Sequence, residues 1–300
     1  MWFWWQQRQL RSFNADARRR AVEKLCVSNQ PRAVGLLVER LEDGDASVRL
    51  AAAQALVRAG WQADSATRGW FLVALQHWDD AATLGVPAVL PLFQATQDDL
   101  LRSEAESSLL RIGRVAVAPL VERLSSAVKA LETVLLLGPF GQGQEELRQT
   151  IEEMLRGARK RQFAVGLTPE RKAIEELLRG EIAHCVGIIV RFGEPAVEPL
   201  VKAVDDVDRS ISFLSNLSKF DRATPDPLIA AMHGLQTALE FAPEYHKWAL
   251  KERRAAIRGA FVAALEEALD SSDEVVRRTS ACMLEKIKKA AAENDPPLWP

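Results

Sequence analysis

The chain has 300 residues, more than a single hydrophobic core usually serves, so its length predicts either two compact domains or one architecture built from repeats. Hydrophobic residues make up 48% and charged residues 27% of the sequence, a balance that excludes a disordered chain. Its 39 Lys and Arg residues stand against 41 Asp and Glu residues, which excludes long-range attraction of nucleic acid or an anionic membrane by the chain as a whole.

The sequence starts with four consecutive aromatic residues at positions 2–5. This segment lacks the basic region, the long apolar region and the small-residue cleavage site of a signal peptide. Two interpretations stay open: the rings cover the apolar end of a first repeat, or they anchor the chain to a partner or a membrane interface together with Arg8 and Arg11. No apolar stretch approaches the ~20 residues that cross a bilayer, so we expect a cytoplasmic protein without a transmembrane segment.

A recurring pair of residues predicts the first helix of a repeating unit. An Asn or Asp is followed four residues later by an Arg, and small and apolar residues then recur at helical spacing. The Asn or Asp side chain is a good N-cap, and we expect the Arg one turn later to lie over it. The pairs are Asn14 with Arg18, Asp45 with Arg49, Asp98 with Arg102, and Asp273 with Arg277.

A second pattern, Gly-x-x-Ala-Val-x-Pro-Leu, predicts a turn and a second, shorter helix. It begins at Gly85, Gly113 and Gly193, and residues 31–41 carry a related copy without the glycine and the second proline. Glycine takes the left-handed conformation that ends a helix, and proline is tolerated in the first turn of the next helix. In the Gly113 copy the predicted buried stripe consists of Ala116, Val117, Leu120, Val121 and Leu124.

Joined, the two patterns resemble the short HEAT-like repeats first recognised in phycobilisome lyases, over residues 14–124, 181–204 and 270–290. The resemblance implies an all-α, armadillo-type fold: a right-handed α-solenoid of stacked antiparallel helix pairs. We predict four segments. They are HEAT-like repeats with an aromatic cap (1–124), an irregular helical segment (125–180), a further HEAT-like repeat (181–204), and C-terminal helical repeats with a cap (205–300).

A search for catalytic and metal-binding motifs leaves no candidate in the sequence. The glycine-rich stretch at 138–143 is not followed by the Lys of a phosphate-binding loop, and neither a His-Glu-x-x-His nor a Gly-x-Ser-x-Gly motif occurs. One HEAT-type enzyme family, deoxyhypusine hydroxylase, binds di-iron through His-Glu dipeptides, but no His here precedes a Glu. We therefore predict a protein without catalytic, cofactor or metal sites, whose three cysteines are free thiols.

Function is predicted only at the level of binding. Stacked repeats form long grooves, so we expect a non-catalytic scaffold that binds a protein or peptide on the concave surface formed by its second helices. The resemblance leaves two alternatives: a phycobilin lyase-like, chromophore-handling subunit, and a HEAT-type nucleic-acid-binding protein or DNA glycosylase. The predicted contact residues for a protein partner are Arg40, Glu122, Arg123, Glu198 and Lys202. The cluster that would meet nucleic acid is Arg156, Arg159, Lys160 and Arg161.

Overall fold

A computed structural model describes residues 7–12, 14–27, 31–136, 171–204 and 243–294. Within these ranges the regular structure is helical and no strand occurs, which confirms the predicted all-α class. The described residues form two compact units. The first includes the residues up to Ser126, and the second begins at Ala127 and includes those from Leu178 onward.

The first unit consists of helices that pack on their neighbours along the chain. Helix α1 packs on α3, α4 on α6, and α5 and α6 both pack on α7. Short 3-10 turns, Arg40–Glu42 and Gly113–Ala116, precede α3 and α8. The helices are α1 (Ala15–Val27), α2 (Pro31–Glu39), α3 (Ala46–Arg58), α4 (Arg68–Ala74), α5 (Trp78–Leu84), α6 (Val86–Ala95), α7 (Arg102–Ile112) and α8 (Val117–Leu136), of which α8 belongs to the first unit only as far as Ser126.

The second unit contains most of α9 (Arg171–Ile189), the 3-10 turn Val190–Phe192 and a helix over residues 194–204, which we call α10. It also contains α11 (Pro243–Leu269) and α12 (Glu274–Asn294). Helix α12 packs against α11 and against the Val190–Phe192 turn.

Side-chain caps confirm three of the four predicted helix starts. The Oδ1 atoms of Asn14, Asp45 and Asp273 accept the backbone N–H two residues later at 2.8, 3.0 and 2.8 Å. The fourth prediction is wrong: Asp98 accepts the N–H of Leu100 at 3.0 Å, but a turn intervenes and α7 begins only at Arg102.

The four paired arginines share a backbone partner that the pattern did not predict. Each guanidinium donates to the backbone carbonyl six residues earlier in the chain. Such a bond ties the turn before a helix to the first turn of that helix, because the carbonyl lies two residues before the Asn or Asp of the pattern. The bonds are Arg18 to Ser12 (2.9 Å), Arg49 to Asp43 (2.8 Å), Arg102 to Thr96 (3.1 Å) and Arg277 to Ser271 (2.7 Å).

The glycine pattern and its buried stripe are also confirmed. Gly85, Gly113 and Gly193 have φ values of 74°, 76° and 72°, the left-handed region that an L side chain rarely adopts. The predicted stripe on α8 is buried at Ala116, Val117, Leu120 and Leu124 and half-buried at Val121.

Candidate functional site

An open groove of about 710 Å³ lies between the start of α5 and one face of α7 in the first unit. Residues 76–80 form one side of it. The other side consists of α7 side chains: Ser103, Glu104, Ser107, Ser108 and Arg111. We call this feature the α5–α7 groove.

Helix α4 leads into the groove and ends close to Gln76, a lining residue whose backbone is strained. Two backbone hydrogen bonds close the C-terminal end of helix α4. The N–H of Gln76 donates to the carbonyl of Val73 at 3.0 Å, and the N–H of His77 donates to the carbonyl of Leu72 at 2.9 Å. This arrangement needs a left-handed residue at Gln76, whose φ is 61°. The equivalent position after α3 is a glycine, Gly60, with φ 66°. A glutamine therefore occupies a position where glycine is favoured.

Replacing Gln76 by Gly is expected to raise the free energy of unfolding by about 1 kcal/mol, because it removes the steric cost of the left-handed conformation from an exposed residue. Urea denaturation followed by circular dichroism measures the change. A fall in stability would show that the side chain of Gln76 makes contacts worth more than the strain.

The groove carries an excess of negative charge. Asp79, Asp80 and Glu104 contribute carboxylates, and the side chains of the two aspartates are 88% and 71% exposed. Arg111 is the guanidinium in the lining, and it pairs with Asp79 and donates to the hydroxyl of Ser108 at 3.2 Å. The Arg111 charge is thus balanced locally, which leaves Asp80 and Glu104 as net negative charge. His77 lies 3.7 Å from Asp80 and becomes a cation only when protonated.

The first part of the chain matches a known family of repeats. Residues 5–68 match the family model described as HEAT repeats. This match supports HEAT-like repeats in this part of the chain. No curated protein matches the sequence at the significance required of a relative. HEAT repeats are generally protein-interaction and scaffold modules. The match covers α1 to α3. Within it, Arg18 of α1 and Arg49 of α3 form the hydrogen bond to the carbonyl six residues earlier. The same bond occurs outside the matched residues at Arg102 in the first unit and at Arg277 in the second.

The described residues provide no preassembled metal site. Within the described ranges, no group of three or more His, Cys, Asp or Glu side chains is placed to hold a metal ion. In the same part of the chain, no helix has the length and apolar character needed to span a bilayer. The groove is lined by exposed carboxylates and hydroxyls beside the half-buried indole of Trp78.

Arg40, one of the predicted contact residues, is bound within the HEAT-repeat core instead of standing in solvent. Its side chain is 14% exposed and donates to the carbonyl of Leu10 at 3.1 Å. It also lies 3.4 Å from Glu39 and 3.8 Å from Asp43. Reversing the Arg40 charge would therefore remove contacts that hold the Arg40–Glu42 turn to the N-terminal helical residues.

The other four predicted contact residues lie on α8 and α10. Glu122 is exposed and Arg123 half-buried on α8 of the first unit, and Glu198 and Lys202 are exposed on α10 of the second. Their role as contact residues stays a prediction. The basic residues Arg156, Arg159, Lys160 and Arg161 and the aromatic residues 2–5 lie outside the described residues.

The sequence patterns did not point to the α5–α7 groove. Its members on α5 precede the Gly85 pattern and belong to neither repeat helix as predicted. One signal was present in the sequence: the acidic pair Asp79-Asp80 directly follows Trp78. Only the packing of α5 on α7 turns this short segment into one side of a groove.

Proposed function

We propose that the protein is a non-catalytic interaction module and that its HEAT repeats bind a segment of a partner protein in the α5–α7 groove. One observation carries the proposal: two adjacent helices of a HEAT-repeat unit leave a groove of about 710 Å³ between them, lined by exposed polar side chains. Grooves between packed helices are a common place for a partner segment to dock.

The dimensions of the groove suit a short segment. From Ser103 to Arg111 the α7 face rises ~12 Å at 1.5 Å per residue. An extended peptide covers that length with about four residues. The hydroxyls of Ser103 and Ser107 and the carboxylate of Glu104 offer hydrogen bonds along this line, and Trp78 offers apolar contact at its side. Polar recognition with an aromatic contact is typical of transient protein interfaces.

A second candidate surface is the face formed by the second helices of the repeats. Its support is that Glu122 is exposed on α8 and that α6 exposes Val86 and Leu90, one helical turn apart. Exposed apolar residues at this spacing favour contact with a partner helix or strand. The repeat pattern predicts this surface as the binding face, so it is the alternative docking site to the α5–α7 groove.

A pair of tryptophan substitutions distinguishes the two surfaces. A partner identified by affinity capture is purified, and its affinity is measured by calorimetry for the wild type, Ser107→Trp in the groove and Ala118→Trp on α8. Both positions are exposed and helical, so both variants are expected to fold. We expect Ser107→Trp to weaken binding about tenfold or more, since a filled groove excludes the segment, and Ala118→Trp to leave it unchanged.

The converse result, with Ala118→Trp disruptive and Ser107→Trp neutral, would assign binding to the second-helix face. Full affinity of both variants would contradict docking at either surface. Circular dichroism of each variant checks that a lost affinity is not a lost fold.

A further inference from the structure

The groove also carries information about the kind of segment that it binds. We infer that the α5–α7 groove takes a basic segment of the partner, with Lys or Arg side chains at neighbouring positions. This inference rests on the proposed function, because it names the chemistry of the segment that would occupy the docking groove.

Charge complementarity is the first support. The groove presents Asp79, Asp80 and Glu104, and its arginine is already paired with Asp79. Glu104 is exposed, and within the described residues it makes no ion pair, while the Asp80 carboxylate pairs there only with the imidazole of His77, at 3.7 Å. A cationic side chain entering the groove therefore meets two carboxylates that pair with no arginine or lysine in the part of the chain that the structure describes. An acidic segment would meet repulsion at the same positions.

The shape and the aromatic lining are the second support, independent of charge. Trp78 lines the groove with a half-buried side chain, so part of its surface is available to a ligand. Indole is the best aromatic partner for a guanidinium or an ammonium group, and it also packs against the methylene stem of either side chain. Carboxylates beside an accessible indole favour a long cationic side chain over a compact metal ion.

Arg111 supplies an internal test of the inference. Its ion pair with Asp79 competes with any cation that enters the groove. Removing this guanidinium releases the Asp79 carboxylate, so Arg111→Gln is expected to strengthen the binding of a basic segment. A general weakening of the fold would have the opposite effect on binding, which separates the two explanations.

The probe is a fluorescein-labelled peptide, Gly-Arg-Lys-Arg-Lys-Gly, compared with Gly-Glu-Asp-Glu-Asp-Gly and Gly-Ser-Thr-Ser-Thr-Gly. Fluorescence anisotropy on the full chain gives the affinity of each peptide at low and at physiological salt. We expect only the basic peptide to bind, and its affinity to fall as salt rises because exposed charges are screened.

The double variant Asp80→Lys with Glu104→Lys is expected to weaken binding of the basic peptide about tenfold, since each reversal replaces an attraction by a repulsion. Both residues lie in the first turn of a helix, where an acid is favoured, so the neutral pair Asp80→Asn with Glu104→Gln serves as a milder variant. It should weaken binding by about threefold, and Arg111→Gln should strengthen it by a similar factor. Glu285→Lys, an exposed reversal on α12, is the matched control and should leave the affinity unchanged.

Equal binding of the acidic or neutral peptide would overturn the inference, as would equal losses in Glu285→Lys and in the groove variants. The proposed function fails separately. If the purified partner binds and Ser107→Trp abolishes that binding while the basic peptide does not bind, the docking groove stands and its basic ligand is wrong. If the basic peptide binds as expected while Ser107→Trp leaves the purified partner's affinity unchanged, the charge preference stands and the docking function is wrong.

Discussion

Replacing Asp43 by Ala is expected to lower the free energy of unfolding of the first unit by about 3–5 kcal/mol, the largest effect of any charge removal that we predict. The Asp43 carboxylate is fully buried and accepts from Nε and Nη2 of Arg18, both at 2.8 Å. The Arg18 side chain is 2% exposed. Without Asp43, the buried guanidinium loses the carboxylate that forms two hydrogen bonds with it, and breaking a buried ion pair in this way is costly.

Asp43 also joins successive parts of the first unit through its backbone. Its carbonyl accepts from Arg49 of α3 at 2.8 Å and from the amide of Gln94 of α6 at 3.0 Å. Its carboxylate in turn accepts the backbone N–H of Asp45 at 3.0 Å. The residue therefore links α1, α3 and α6. Asp43→Ala removes the carboxylate contacts with Arg18 and with the N–H of Asp45, and it leaves the backbone carbonyl that Arg49 and Gln94 bind.

The control for Asp43→Ala is Asp16→Ala on α1. Asp16 is 71% exposed and lies 3.6 Å from Arg19, so removing it should cost less than ~1 kcal/mol. Urea denaturation followed by circular dichroism gives both values. Similar small losses for the two variants would show that the Arg18–Asp43 pair contributes little to stability.

The second large effect is steric, at the contact between α4 and α6. A Cβ atom added to Gly69 would lie 2.3 Å from the carbonyl oxygen of Pro87 and 2.9 Å from its carbonyl carbon. These are backbone atoms that cannot rotate away, so the two helices must separate. Gly69→Ala is expected to lower the free energy of unfolding by about 3 kcal/mol.

Gly35 on α2 provides the matched control for Gly69→Ala. A Cβ at Gly35 meets no atom within 4 Å, and the residue is exposed within a helix. Gly35→Ala should therefore stabilise the protein by about 0.5–1 kcal/mol, because alanine loses less conformational freedom in a helix. Chemical denaturation of both variants tests the pair. A neutral Gly69→Ala would contradict the close approach of α4 and α6.

Much of the fold follows from local interactions that the sequence displays directly. Caps at Asn14, Asp45 and Asp273 and the glycines at helix ends depend on residues within one or two turns of each other. The wrong prediction of a helix start at Asp98 also has a local cause. Residues Asp98–Leu101 form a hydrogen-bonded turn, so α7 begins only at Arg102.

The features that escaped prediction depend on contacts between residues distant in sequence. Arg40 was predicted as a surface contact, but its guanidinium reaches the carbonyl of Leu10, thirty residues earlier. The partner of Asp43 is Arg18, twenty-five residues away. The groove likewise requires α5 to pack on α7, and neither repeat pattern includes α5. Residue patterns identify helices, and tertiary packing decides which side chains remain accessible.

Site-specific photocrosslinking is the most direct test that the partner docks in the α5–α7 groove. Benzoylphenylalanine is placed at Ser107 in one variant and at Glu122 in another, and each is irradiated with the purified partner. Both positions are exposed on helices of the first unit, so the two variants report equally well on nearby protein. Docking in the groove predicts a covalent adduct from Ser107 and none from Glu122. An adduct from Glu122 alone would contradict the groove and place the partner on the second-helix face.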